Sequence, residues 1–356
     1  MELKDLGFDK WFEEHADNLM QKGHDIARIM AVDRGAFIVR TKNAEMRSEL
    51  AGKLRFQTRS ALELPCVGDW VCVQLPPTPG GPAMIQDVLP RKTFLRRKCP
   101  GKSIDFQMIA ANIDVAFIVQ GCQYDFNIPR LERYLVMASD GRIEPRIILG
   151  KTDLISKEEL ARHIEKIRNS GISTRILPLS NTTGIGLNEF RDQIEPGKTY
   201  CLIGSSGVGK TTLINRLLGR DAFETKAVSG TGEGVHTTAR RQLLILEGGS
   251  MLIDTPGMRE LGLLGSSGGM DATFGDIEEL SMKCRFPDCT HTREPGCAVL
   301  EAVKNGELRE EHYRNFLKLK KESEFHEMSY IEKRRKDRAF GRFVKSAMKR
   351  IKGGER

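Results

Sequence analysis

Eight residues constrain this chain more than any others: Gly204-Ser205-Ser206-Gly207-Val208-Gly209-Lys210-Thr211. They follow the apolar run Tyr200-Cys201-Leu202-Ile203 and open the periodic stretch Lys210–Leu218, so the pattern predicts strand, glycine loop and helix in that order. The glycines let main-chain N–H groups curl around an anion, and the helix N-terminus adds positive potential at the same point. In that setting the Lys210 ammonium is expected on the β- and γ-phosphates of a nucleotide, with the Thr211 hydroxyl on Mg²⁺.

Downstream, Asp254-Thr255-Pro256-Gly257 ends the apolar run Met251-Leu252-Ile253. A carboxylate at a strand end, here Asp254, can hold the Mg²⁺ water shell, and the Gly257 N–H can sense a γ-phosphate. Between the two motifs lies the glycine-rich stretch Ser229 to Thr238, which has the composition of a loop ordered only by γ-phosphate and metal. Thr237 or Thr238 is the candidate magnesium-sensing hydroxyl, with Thr237 slightly preferred. Met258 stands where many GTPases carry a water-orienting Gln, so His236 is the nearest polar candidate for that task and intrinsic hydrolysis is expected to be slow. A solvent-facing loop histidine is the plainer alternative.

Base choice is expected upstream of the phosphate loop. Gly150-Lys151-Thr152-Asp153 follows a strand-like run, and Asp153 can accept from guanine N1–H and the 2-amino group together, an arrangement of donors that adenine lacks. Lys151 can lay its stem over the base. Ser180 and Asn181, after the next strand, can meet the guanine carbonyl. Alone, Asp153 serves equally well as a helix cap before Lys157. The order is unusual, since the base motifs precede the phosphate loop, which precedes both switches. Such a permutation is cheap when the old termini lie close together.

The rest of the chain gives these motifs their setting. At 356 residues it suits two or three domains. Short β-like runs (Ala36 to Val39, Val67 to Leu75, Met84 to Val88), broken by the Pro76–Pro82 stretch, suit an OB-fold, with an SH3-like barrel almost as compatible. From Asn112 the rhythm becomes strand–helix alternation, the mark of a mostly parallel sheet covered by helices. The expected architecture is therefore α/β and multi-domain: an OB-like barrel with a leading helical segment over 1–100, a circularly permuted P-loop GTPase over 101–265, and a helical zinc-binding domain with a basic tail over 266–356.

No run approaches the roughly 20 apolar residues that span a bilayer, and no signal pattern opens the chain, so a cytoplasmic, monomeric protein without a membrane partner is expected. Cys284, Cys289, His291 and Cys297 crowd into 14 residues. Three thiolates and an imidazole satisfy tetrahedral zinc with no open position, hence a structural site. The other five cysteines, Cys66, Cys72, Cys99, Cys122 and Cys201, read as small buried hydrophobes. Residues 318–356 hold 14 Lys and Arg against 6 Asp and Glu, which accounts for the whole net charge of +8. From Phe340 this tail has the spacing of a basic amphipathic helix, suited to RNA first, and otherwise to a membrane surface or the protein's own body.

On these residues the chain resembles the ribosome small-subunit-dependent GTPases, the circularly permuted bacterial assembly factors. The likeness runs through Val67-Gly68-Asp69-Trp70-Val71, Gly204–Thr212 including Thr212, His236-Thr237-Thr238, Asp254–Gly257, the Cys/His spacing and Glu332 to Asp337. One departure is Gly150, where the family usually has Asn; Asp153 remains. The resemblance implies GTP and GDP with Mg²⁺, one structural Zn²⁺, and the small (30S) ribosomal subunit with its 16S rRNA as partner. It also implies hydrolysis that the subunit stimulates, coupled to late subunit maturation and to release of the GTPase. A nucleotide-gated rRNA-binding protein with negligible turnover, or an ATPase of relaxed base choice, are the alternatives.

Overall fold

The computed structural model describes residues 1–20, 23–33, 35–78, 80–98, 106–219, 241–254, 269–270 and 273–327. Its first unit is a five-stranded barrel of β1 (Asp25–Asp33), β2 (Ala36–Arg40), β3 (Glu45–Leu50), β4 (Trp70–Gln74) and β5 (Ala83–Val88). Strands follow the order β1-β2-β3-β5-β4 and β4 closes back on β1, with β3 and β5 parallel. This order is that of the OB-fold, which settles the choice between the two small barrels.

The barrel interior is filled by alternate residues, among them Ala27, Ile29, Val39, Val71, Val73 and Ile85. Intervening residues Ile26, Met30, Trp70 and Cys72 face a second core. There Phe12 of α1 (Lys10–Met20) and Phe8, between a 3-10 turn (Leu3–Leu6) and that helix, pack on Trp70. Helix α2 (Gly52–Gln57) lies between β3 and β4. A hairpin of β6 (Phe94–Lys98) and β7 (Phe106–Ala111) follows and straddles residue 100, the boundary expected from sequence.

The second unit is a parallel sheet of β8 (Val115–Gly121), β9 (Glu144–Gly150), β10 (Ile176–Pro178), β11 (Thr199–Ile203) and β13 (Met251–Asp254), with β12 (Arg241–Ile245) antiparallel to β13. The order is β10-β9-β8-β11-β13-β12. All seven residues of β8 are buried, because helices cover both faces. Leu131 and Leu135 of α3 (Ile128–Asp140) and Ile167 of α4 (Lys157–Arg168) cover one face. Leu187 and Phe190 of α5 (Leu187–Arg191) and Leu213 of α6 (Lys210–Leu218) cover the other. At its far edge β12 also pairs with β1, so barrel and sheet share one ladder.

Arg28 of β1 joins the two units. Its side chain is buried and donates to Gly68 O at 3.3 Å, Asn112 O at 3.1 Å, Thr199 Oγ1 at 2.8 Å and Leu6 O, with Met251 Sδ at 3.1 Å. Burial lowers its pKa to about 10, with Asp114 and Asp69 pulling the other way, so it stays charged at neutral pH. The Val67–Val71 segment supports it. Gly68 sits at φ 88°, where an added Cβ would lie 2.2 Å from Ala111 O. Asp69 holds Arg91 in a two-pronged pair at 2.8 Å.

The third unit packs α7 (Gly275–Ser281), α8 (Ala298–Asn305) and α9 (Glu310–Glu327) around Phe274, Ile277, Val299, Phe316 and Leu319, with Val136 of α3 in the same core. Buried polar groups bind α9 to α3. His312 Nδ1 lies 2.6 Å from Glu132 Oε1 and its Nε2 lies 3.2 Å from Asp276 Oδ1, while Asn315 donates to Glu132 Oε2. Burial alone would lower the His312 pKa, but Asp276 and Glu132 outweigh it and lift it to about 9.

Two measurements follow from these contacts. Arg28→Met should cost about 3 kcal/mol or more in urea unfolding, since it strands several buried acceptors at about 1–3 kcal/mol each. A loss below about 1 kcal/mol, the scale of an ordinary net hydrogen bond, would contradict this. The His312 contribution has a defined sign. Its folded pKa is raised from 6.5 to about 9, so its stabilisation is complete below 6.5 and is lost as pH rises through 9. The stability gap between wild type and His312→Gln should therefore shrink across that window; a pH-independent gap would refute the charged pair.

Candidate functional site

Parallel strands bring their C-terminal ends to one edge of the sheet, and every described base or phosphate motif lies there. Residues 204–209 leave β11 and turn directly into α6. The turn depends on two glycines. Gly204 has φ 148°, and a Cβ there would lie 2.1 Å from Val119 O of the neighbouring strand; Gly209 caps α6 at φ 100°. Val208 is buried beneath the loop, while Thr211 is exposed at the start of α6. The Lys210 ammonium donates to Gly204 O at 2.7 Å and Ser205 O at 2.5 Å, so it lies back along the loop it belongs to. Thr212 is half-buried beside it.

The base motifs meet this loop from the adjacent strands. Gly150 ends β9, and a Cβ there would lie 3.4 Å from Val208 O, an ordinary contact. Lys151 adopts left-handed backbone at φ 60°, which turns the chain into the short 3-10 helix Thr152–Leu154. Ser180, fully buried after β10, donates to Asp153 Oδ1 at 2.6 Å and accepts from the N–H groups of Thr182 and Thr183. That bond orients the Asp153 carboxylate, itself exposed. Asn181 donates to Gly209 O at 3.1 Å and thus ties the base loop to the phosphate loop. Among the described residues its buried Oδ1 and the buried Thr152 Oγ1 have no hydrogen-bond partner.

One participant carries no sequence signal. Arg130, in the first turn of α3, donates to Ser205 Oγ at 2.7 Å and pairs with Asp125. Nothing in the spacing around Arg130 marks it, because its partner is 75 positions away.

The cysteine cluster assembles as its spacing predicts. Ligand atoms of Cys284, Cys289, His291 and Cys297 all lie within 4.8 Å of one another. Cys284 Sγ is 3.6 Å from His291 Nδ1 and 3.9 Å from Cys297 Sγ, and Cys297 Sγ is 3.5 Å from His291 Nδ1. Tetrahedral zinc with Zn–S near 2.3 Å and Zn–N near 2.0 Å places such ligand atoms about 3.5–3.8 Å apart. His291 reaches this position on left-handed backbone, φ 61°, with its Nε2 3.1 Å from Ser281 Oγ and its carbonyl accepting from Tyr313 at 2.6 Å. Cys66, Cys72, Cys122 and Cys201 are buried, as expected of small hydrophobes.

Several expected residues fall elsewhere. Cys99, Ser229 to Thr238 with His236 and Thr237, Thr255, Pro256, Gly257, Met258 and the tail from 328 lie outside the described residues. Asp254 ends β13, paired with Gln242, and its side chain is likewise outside them. Among the described residues no helix is long and apolar enough to cross a membrane.

Comparison with known proteins agrees with this geometry. The family model described as RsgA GTPase matches residues 88–264. The chain is 39% identical over 340 residues to the small ribosomal subunit biogenesis GTPase RsgA 2 of Lactiplantibacillus plantarum, covering 95% of this chain and 94% of that protein. The crystal structure of YjeQ from Thermotoga maritima is similar at a TM-score of 0.61 and 27% identity, over 84% of this chain and 98% of that one. YloQ, a circularly permuted GTPase, shares the fold at a TM-score of 0.57 and 23% identity, over 86% and 97% of the two chains. With base loops preceding the phosphate loop in sequence and meeting it in space, the chain is a circularly permuted GTPase and belongs to the RsgA GTPase family.

Proposed function

We propose that this protein hydrolyses GTP to GDP and phosphate in the service of small ribosomal subunit assembly. The observation that carries the reading is the meeting of the base loops with the phosphate loop 204–209: Ser180 orients Asp153, and the adjacent Asn181 donates to Gly209 O. The subunit as partner rests on the relative's name as a small ribosomal subunit biogenesis GTPase. We extend it to contact with 16S rRNA, by a monomer acting in the cytoplasm, with the basic tail as one RNA-binding element.

In this reading Asp153, oriented by Ser180, accepts from the guanine edge, and Lys151 covers the base. Ser205, Ser206, Gly207, Val208 and Gly209 present main-chain N–H groups to the phosphates, and Lys210 exchanges its loop carbonyls for phosphate oxygens. Thr211, Thr237 and Asp254 form the surroundings for Mg²⁺, which when bound neutralises charge between the β- and γ-phosphates. Gly257 senses the γ-phosphate, and His236 accepts a hydrogen bond from the attacking water. Cys284, Cys289, His291 and Cys297 hold one structural Zn²⁺.

Lys210→Ala should lower single-turnover GTP hydrolysis, measured with small subunits present, by about 10²-fold or more, because the charge on the transferred group is lost. Fold and zinc content should be unchanged. Near-normal turnover would remove this loop from the active site. Purified protein should carry about one zinc per chain, and Cys289→Ser should release it and unfold the helical C-terminal unit, since binding and folding are coupled in small metal modules. Substoichiometric zinc in fully folded protein would overturn the assignment.

A further inference from the structure

We infer that Arg130 is a positioning residue for GTP hydrolysis, acting on the phosphate loop through Ser205; this rests on the guanine-nucleotide reading of that loop. Ser205 is held at two points. Its carbonyl receives the Lys210 ammonium at 2.5 Å. Its hydroxyl accepts from Arg130 at 2.7 Å.

Arg130 is itself held in place. Its backbone N–H donates to the Asn127 cap at 2.8 Å, and its guanidinium pairs with Asp125. The loop carrying both partners is fixed by buried Gln120, whose Nε2 donates to Asp125 O at 3.2 Å and Asn127 O at 2.8 Å. A continuous chain of polar contacts therefore runs from the end of β8 through Arg130 to the second residue of the phosphate loop.

Such a chain matters because the loop is otherwise built for freedom. Gly204, Gly207 and Gly209 all have positive φ, and glycine lets a backbone move as readily as it lets it turn. Donors can stabilise a transition state only if they are already aimed, and a misplacement near one ångström costs up to about 10²-fold in rate. Fixing Ser205 fixes the first N–H groups of the cradle. The Asp125 carboxylate offsets the Arg130 charge locally, so the contribution of Arg130 lies in geometry more than in added potential.

The test is single-turnover GTP hydrolysis at saturating nucleotide, with affinity for a fluorescent GDP and the urea midpoint measured on the same samples. Arg130→Ala and Ser205→Ala should each slow hydrolysis by about 10-fold, and the double variant should be no slower than either, because both remove one shared contact. GDP affinity should stay within about threefold and the urea midpoint should hold, a split that a purely structural role would not produce. Full additivity of the two substitutions, or a slow Arg130→Ala beside an unaffected Ser205→Ala, would overturn the inference. So would equal rates for wild type and Arg130→Ala, which would leave the GTPase reading standing. A wild type that cleaves no GTP would overturn that reading and this inference with it.

Discussion

The arrangement of the molecule depends on one buried arginine. The Arg28 guanidinium collects acceptors from the N-terminal turn, the Gly68 corner, the Asn112 entry to the parallel sheet and the first residue of β11. An isolated ion at such depth would be far too costly, and it is tolerated only because its N–H groups find carbonyl or hydroxyl oxygens. Those acceptors lie up to 171 positions from Arg28 itself, so the charge can be satisfied only when barrel and sheet are already docked. Thr199 and Met251 begin β11 and β13, whereas Gly204 and Asp254 lie at their far ends. Arg28 is thus bound at the end of the sheet opposite the nucleotide loops.

The same dependence on distant partners decides how much of the structure is legible in sequence. Strands β8, β11, β13 and the second half of β9 show plainly because both faces are buried and their residues are almost uniformly apolar. The phosphate loop, the Lys151–Asp153 turn and the cysteine cluster show because their chemistry is local, with glycines or ligands at fixed short spacings. Strands β1 and β3 are harder to read. An arginine interrupts β1, and β3 carries Glu45, Arg47 and Glu49 on its exposed side. Arg130 and Glu132 sit on an ordinary amphipathic helix, and their meaning comes from Ser205 and His312, 75 and 180 positions away. Period and composition cannot report contacts of that range.

Helix α3 gathers these long-range contacts on a single element. Its first turn touches the phosphate loop, Glu132 meets His312 and Asn315, and Arg133 pairs with Glu322 at 3.1 Å. The unit that carries the cysteine cluster and the nucleotide edge are therefore held by residues within three positions of each other, Arg130 to Arg133. The His291 carbonyl, bonded to Tyr313, connects the cysteine cluster to the same helix α9 that carries His312.

The step from β1 to β12 has a different consequence. Ala31 and Val32 pair with Gln242 and Arg241, so the edge of the nucleotide-binding sheet is also a wall of the barrel. A ladder admits no half-steps, since a slip of one residue turns every side chain to the wrong face. Strand β12 must therefore travel with both neighbours or part from one of them. It follows directly in sequence on residues 220–240, the stretch that carries Thr237. Displacing β12 therefore means breaking its hydrogen bonds to β1 or to β13, or moving a second folded body with it.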